Sequence, residues 1–325
     1  MNVTRRNFVA ASGVAGAAVL LAGCGSSNSA SSSSDGTASY KIGVVQLTEH
    51  SALDATNAGF VEAVNASGLS VTIDQQNAQN DQSACQTIAS KFVGDGVDLI
   101  YAIATPAAQA AAAATSDIPI VGSAITDYAA SGLVKDNDKP GTNVTGASDL
   151  TPVAEQLQMM QKVLPDVKKV GLLYCSAESN SDIQIASAKE ELDALGIAYD
   201  EYAVSSSNEI QSVVESAVGK VDALYAPTDN TIAAGAAQVG QICKENKIPF
   251  VTGEEGMCNA GGLFTLSINY TDLGKLAGEM AVKILKGEAK PADMAIEHLS
   301  TSELVVVKNE EMAAAIGVDL SALDA

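Results

Sequence analysis

The chain has 325 residues, 47% hydrophobic and 18% charged, a globular composition long enough for two domains of ordinary size. With 18 Lys+Arg against 39 Asp+Glu the net charge is −21. Phosphate contacts need clustered basic residues and no such cluster is present, which argues against nucleic acid as a partner. Two histidines and five cysteines without a CxxC pair argue against a His-rich metal site or a zinc ribbon, so neither metal nor cofactor is expected. No apolar run reaches the ~20 residues that a membrane-spanning helix needs.

Residues 1–23 read as an export signal: Arg5 and Arg6 form a positive n-region, and a short apolar stretch runs from Phe8 to Ala22. Leu21-Ala22-Gly23-Cys24 resembles a bacterial lipobox, in which Cys24 is lipidated and becomes the mature N-terminus. Thr4-Arg5-Arg6-Asn7-Phe8-Val9 also resembles a twin-arginine signal; the choice between that route and the general secretory one stays open. Residues 24–39 are Gly/Ser-rich with almost nothing to bury, and are expected to be a lipidated tether. Cleavage removes two arginines and no acids, taking the net charge from −21 to −23. That acidity keeps an exported protein soluble.

From Tyr40 the pattern alternates strand and helix. A β-branched run over 41–46 predicts a strand, and Leu53, Phe60, Val61 and Val64 predict a helix that Gly68 stops. Strands follow at 69–74, 97–103 and 118–122, with helices at 81–92 and 107–114. The rhythm restarts at Thr151-Pro152, which opens a helix. Strands are then expected at 170–174, 197–204, 221–226, 248–252 and 262–268. Helices are expected at 183–195, 209–218, 232–245 and 273–285. Near-continuous apolar strands between helices predict doubly wound parallel sheets covered on both faces. The halves echo each other: Asp98-Leu-Ile-Tyr-Ala102 matches Asp222-Ala-Leu-Tyr-Ala226, and Asp117-Ile-Pro-Ile-Val-Gly122 matches Lys247-Ile-Pro-Phe-Val-Thr252. Two equivalent α/β lobes follow.

Ligands of open α/β sheets sit beyond the carboxyl ends of the strands. Glu49 and His50 follow the first strand, and Thr105, Ala107 and Ala108 follow the third, where small residues at a helix start can present bare N–H groups. Ser148 and Asp149 precede the second lobe; there Ser176 and Asn180, then Asp229 and Asn230, then Glu254 follow successive strands. Ser, Thr, Asp and Asn also favour helix caps, and Thr151 and Asn208 are read as caps alone.

Residues 41–60, 143–149 (NVTGASD), 174–181 (YCSAESNS), 225–231 (YAPTDNT) and 253–270 resemble the ABC-transporter substrate-binding lipoproteins of the tryptophan/aromatic-amino-acid type. The resemblance implies a type I periplasmic-binding-protein fold: two doubly wound lobes joined by a three-strand hinge, with a small ligand trapped between them. Lobe 1 would take 40–148 and 269–298, and lobe 2 would take 149–268 and 299–325. It further implies an extracytoplasmic monomer, held on the outer face of the cytoplasmic membrane by its lipid alone. Its partners would be an amino-acid ligand and an ABC permease with its ATPase.

A free amino acid needs donors for its carboxylate and an acid for its ammonium. Thr105 with the amides of Ala107 and Ala108, and Ser148, Ser176 and Asn180, are candidate donors. Asp229 is the candidate for the ammonium, with Glu254 and Asp149 behind it. Tyr225, Leu53 and His50 are candidate walls.

Other readings are a ligand-sensing lipoprotein for a membrane receptor and a sugar-binding member of the same fold. The absence of Trp and 4% aromatics weigh against sugars. An enzyme would show a nucleophile elbow, a P-loop or a dinucleotide fingerprint, and none occurs. Export permits disulfides among Cys85, Cys175, Cys243 and Cys258; Cys175–Cys258 is the favoured pair, and buried thiols are the equal alternative.

Overall fold

The structure, a computed structural model, describes residues 39–324. The export signal, Cys24 and all but the last residue of the expected tether lie outside the described residues. Lobe 1 begins with β1 (Ser39–Gln46), α1 (Ser51–Ala66), β2 (Ser70–Asn77) and α2 (Gln82–Asp95). It continues with β3 (Leu99–Ile103), α3 (Thr105–Ala114), β4 (Ile120–Ile125) and β5 (Val144–Ser148). Lobe 2 contains α4 (Val153–Val163), β6 (Lys169–Cys175), α5 (Ser179–Leu195), β7 (Ala198–Val204) and α6 (Ile210–Ala217). Then come β8 (Ala223–Ala226), α7 (Asn230–Ala234), α8 (Ala236–Asn246), β9 (Phe250–Thr252), α9 (Glu255–Ala260) and β10 (Phe264–Ser267). The chain closes with α10 (Tyr270–Leu285), β11 (Glu297–His298), β12 (Val305–Lys308) and α11 (Glu310–Ile316).

The first sheet has the order β11-β5-β4-β3-β1-β2 and the second β12-β10-β9-β8-β6-β7, so the two lobes repeat one topology. All pairings are parallel except β12 on β10. The chain passes between the sheets three times: from β5 to α4, from β10 to α10, and from β11 to β12.

The core explains why the strands read as apolar runs. Every residue of β3 and β4 is buried, because helices cover both faces. Each fully buried Leu or Ile there, such as Leu99, Ile100 and Ile103, stabilises by ~1.5–3 kcal/mol. Helices α1 and α10 approach through glycines: a methyl on Gly59 would overlap the carbonyl of Thr271, and one on Gly274 the carbonyl of Thr56. This contact fixes the start of α10, and hence Tyr270, beside the start of α1.

Several details depart from the sequence reading. The expected helix over 232–245 is two, α7 and α8, divided at Gly235. The motif at 143–149 contains a strand, β5, which carries the chain to the first crossing. Thr151 and Asn208 are not caps: α4 and α6 start after Pro152 and Glu209, neither with a side-chain cap bond. The four cysteines are buried free thiols, so Cys175–Cys258 does not pair. Cys175 lies in an apolar cluster with Val204 and Ile210, whereas the Cys258 thiol donates to the Val307 carbonyl at 3.6 Å.

Candidate ligand-binding cleft

The strand ends of both sheets converge on a cleft between the lobes. Lobe 1 supplies His50, Ala52 and Leu53 from the start of α1, Ala124 and Thr126 from the end of β4, and Tyr270 from the start of α10. A register shift in the β4–β5 pairing, with Ala124 at φ 55°, turns the end of β4 toward the cleft. Asp149 enters from the first crossing. Lobe 2 supplies Asn180 from α5, Thr228, Asp229, Asn230 and Ala233 around the start of α7, and Glu254 before α9.

Side-chain hydrogen bonds close the cleft from both sides. His50 Nε2 meets Asn230 Oδ1 at 3.2 Å, Asn80 Nδ2 donates to Thr231 Oγ1 at 3.0 Å, and Gln184 Nε2 donates to Thr126 Oγ1 at 3.2 Å. Gln82 Nε2 donates across the cleft to the Ala177 carbonyl at 3.0 Å.

Three carboxyl groups face this space, and no Lys or Arg lines it. Their surroundings differ. Asp229 is satisfied by the protein: Oδ2 accepts from the Cys175 amide at 2.6 Å and Ser181 Oγ at 2.7 Å, and Oδ1 caps α7 at the Ile232 amide at 2.8 Å. Glu254 caps α9, accepting from the amides of Gly256 and Met257. Among the described residues Asp149 accepts only the Tyr270 hydroxyl as a side-chain donor, at 3.2 Å on Oδ2, and its shielded Oδ1 has no partner there.

Burial pushes the Asp149 and Glu254 carboxyls up to about 7, because no cation compensates the charge. Burial and the neighbouring Glu178 charge also raise Asp229. Burial lowers the His50 imidazole, so the ring is neutral.

Behind the wall lies Glu178, itself only 3% exposed. Its Oε2 accepts from the Asn230 amide at 3.2 Å, Asn230 Nδ2 at 2.6 Å and Asn180 Nδ2 at 3.3 Å. Its Oε1 accepts from the Thr231 amide at 2.9 Å and Thr231 Oγ1 at 2.7 Å.

The cleft brings together seven of the fourteen residues singled out from the sequence: His50, Leu53, Asp149, Asn180, Asp229, Asn230 and Glu254. The others lie elsewhere. Glu49 is exposed, and so is Ser176, whose hydroxyl donates to the Val204 carbonyl. Thr105, Ala107 and Ala108 are fully buried at the start of α3, away from the lining. Ser148 donates to the Thr126 carbonyl within its own lobe. Tyr225 is buried in the lobe 2 core, its hydroxyl donating to Gln156 Oε1 at 2.7 Å. Tyr270, Thr126, Thr228 and the buried acid Glu178 received no role from the sequence. Strand-end placement could have suggested Thr126 and Thr228; Tyr270 depends on the α1–α10 contact.

The profile of the ABC transporter substrate-binding proteins matches residues 41–322. The chain belongs to this family. Its members are solute-binding proteins rather than enzymes. Within the family, the chain is 39% identical over 314 residues to a tyrosine-binding protein of Clostridioides difficile, covering 94% of this chain and 90% of that one. It is 39% identical to a domain from Streptococcus pneumonia solved in complex with L-Trp, at a TM-score of 0.85 over 88% of this chain and 98% of that one.

A ligand-free, open substrate-binding protein from Clostridium difficile is 44% identical, yet its TM-score is 0.66, with 86% of this chain and 95% of that one covered. The less similar sequence is thus the better structural match. The structure matches the relative solved with L-Trp better than the open one, and side chains of the two lobes bond across the cleft.

Proposed function

We propose that this substrate-binding protein captures a free aromatic amino acid between its lobes and delivers it to an ABC importer. The observation that carries this reading is the charge of the cleft. Three buried carboxyls with no Lys or Arg beside them call for a cation from the ligand, and an α-ammonium supplies one. Asp149 is the proposed ammonium partner, because its Oδ1 is the carboxylate oxygen there without a protein donor. Leu53, Ala52 and Tyr270 offer apolar surface for a side chain. The tyrosine-binding and L-Trp-bound relatives support an aromatic ligand.

The lobes close about the three crossings, with lobe 1 as 40–148 and 269–298 and lobe 2 as 149–268 and 299–325. Cleavage after residue 23 and lipid on Cys24 hold a monomer at the outer face of the cytoplasmic membrane, tethered by 24–39. Calorimetric titration of the purified protein with the twenty amino acids tests the reading. L-Tyr or L-Trp should bind most tightly. Tight binding of a sugar, with none of any amino acid, overturns it.

A further inference from the structure

The wall of the cleft contains three side-chain atoms that are shielded from solvent and have no partner among the described residues: Asp149 Oδ1, Asn180 Oδ1 and His50 Nδ1. The character of two of them is set from outside the cleft. Asn180 Nδ2 lies 3.3 Å from Glu178 Oε2 and 3.3 Å from the Thr228 carbonyl, both acceptors. Reversing the amide would set its oxygen against two other oxygens, so Oδ1 is the atom left free. Asn230 Nδ2 is held at 2.6 Å by the same Glu178 oxygen, which turns Asn230 Oδ1 toward His50 Nε2. An amide oxygen can only accept, so the imidazole hydrogen sits on Nε2 and the lone pair sits on Nδ1.

We propose that Glu178 is a positioning residue that makes this wall a three-acceptor receptor for a primary ammonium, formed by Asp149 Oδ1, Asn180 Oδ1 and His50 Nδ1. The inference rests on the amino-acid reading above and adds which atoms recognise the amine. A primary ammonium has three N–H donors and no acceptor, so it matches three acceptors, one of them charged. A hydroxyl has a single hydrogen to donate and leaves two acceptors bare. A carboxylate has none and would face the Asp149 charge. A ligand without the amine therefore leaves buried polar atoms unpaired, the situation in which such sites discriminate most strongly. Because His50 belongs to lobe 1 and Asn230 and Glu178 to lobe 2, the His50 hydrogen position is set only when the lobes are closed.

The test combines two measurements on the full folded region. The first is the ¹⁵N NMR spectrum of His50 in wild-type protein saturated with L-Trp or L-Tyr. Protonated Nε2 and bare Nδ1 are expected; the opposite tautomer, or a doubly protonated ring, overturns the inference. The second is affinity for L-Trp against indole-3-propionate, which lacks the amine, in wild type and Glu178→Gln. Wild type should discriminate by at least ~100-fold. The variant, whose carboxamide can donate and lets both asparagines turn, should lose at least tenfold of that ratio. An unchanged ratio in a folded variant overturns the role of Glu178. If Glu178→Gln does not fold, the wild-type spectrum still decides. If wild type binds no amine at all, the amino-acid reading falls with it; binding with the wrong tautomer sinks this inference alone.

Discussion

Tyr270 donates its phenolic hydrogen to Asp149 Oδ2 at 3.2 Å, joining the end of the second crossing between the lobes to the first. The bond lies in the wall of the cleft, so the group that would hold the ligand amine is also part of the hinge. Asp149→Asn removes the charge and keeps the shape. Removing one partner of a buried ion pair typically costs ~3–5 kcal/mol. Affinity for L-Tyr or L-Trp should therefore fall by roughly two to three orders of magnitude at ~1.4 kcal/mol per tenfold. The ligand-free variant should melt no earlier than wild type, since an uncompensated buried acid has gone. Unchanged affinity in calorimetry would remove Asp149 from the site.

Asp229 should behave in the opposite way. Its carboxylate serves the Cys175 amide, Ser181 Oγ and the Ile232 amide. Asp229→Ala leaves those donors buried, and each unsatisfied one costs ~1–3 kcal/mol. That exceeds the ~1 kcal/mol expected of a surface helix cap. Thermal unfolding should show a large loss of stability, with affinity per folded molecule changed less than in Asp149→Asn. A variant that melts normally and binds a hundredfold more weakly would move the amine partner to Asp229.

The buried acids give the protein two opposed pH responses. Asp149 and Glu254 stand at about 7 when folded, against ordinary values of 3.8 and 4.5. An acid raised by folding binds more protons in the folded than in the unfolded state. Its stabilisation is complete below the unfolded value and is lost as pH rises through the folded one. Ligand-free protein should lose stability between about pH 4 and 7, by ~1.4 kcal/mol per pH unit for each fully protonated group. Ligand binding runs the other way, because an ammonium favours the carboxylate. Titrations at pH 7 in buffers of different ionisation heat should reveal proton release on binding. Tyr270→Phe removes a donor that favours the charged form of Asp149, so the midpoint of affinity against pH should move up. Proton uptake on binding would contradict the assignment.

The sequence carried the alternation of elements, because helices on both faces leave whole strands apolar, as in Leu99–Ile103. It also placed Asp149, Asp229 and Glu254 at strand ends, where the fold gathers them. Tyr225 was harder to place. Its strand is buried throughout, so no alternation shows which helix layer the side chain meets, and its hydroxyl turns to Gln156 of α4. The ranking of the acids was hidden for a related reason. Asp229 and Asp149 each follow a strand, β8 and β5, yet donors in β6 and α5 join the local Ile232 amide in satisfying Asp229, whereas Asp149 accepts the Tyr270 hydroxyl on Oδ2. Glu178 sits at the start of a helix, where an acid ordinarily faces solvent. Its burial comes from residues around α7, which are remote in sequence.

Closure itself depends on a glycine. Gly256 in α9 faces Ser51 at the start of α1, and a Cβ built on Gly256 would overlap Ser51 Oγ. The two residues belong to different lobes, so a movement that parts the lobes would relieve the overlap. Gly256→Ala should fold normally, yet bind L-Tyr or L-Trp more weakly and shrink less in small-angle scattering when ligand is added. Rotation of the Ser51 side chain relieves part of the overlap for alanine, so Gly256→Val should show the larger effect. Ser51→Ala in the Gly256→Ala background removes the overlapping oxygen and should recover part of both losses. The recovery is partial because the added methyl still lies 3.0 Å from a Glu254 oxygen. If Gly256→Val closes fully on ligand, the α1–α9 contact does not limit closure and the lobes must meet by another path.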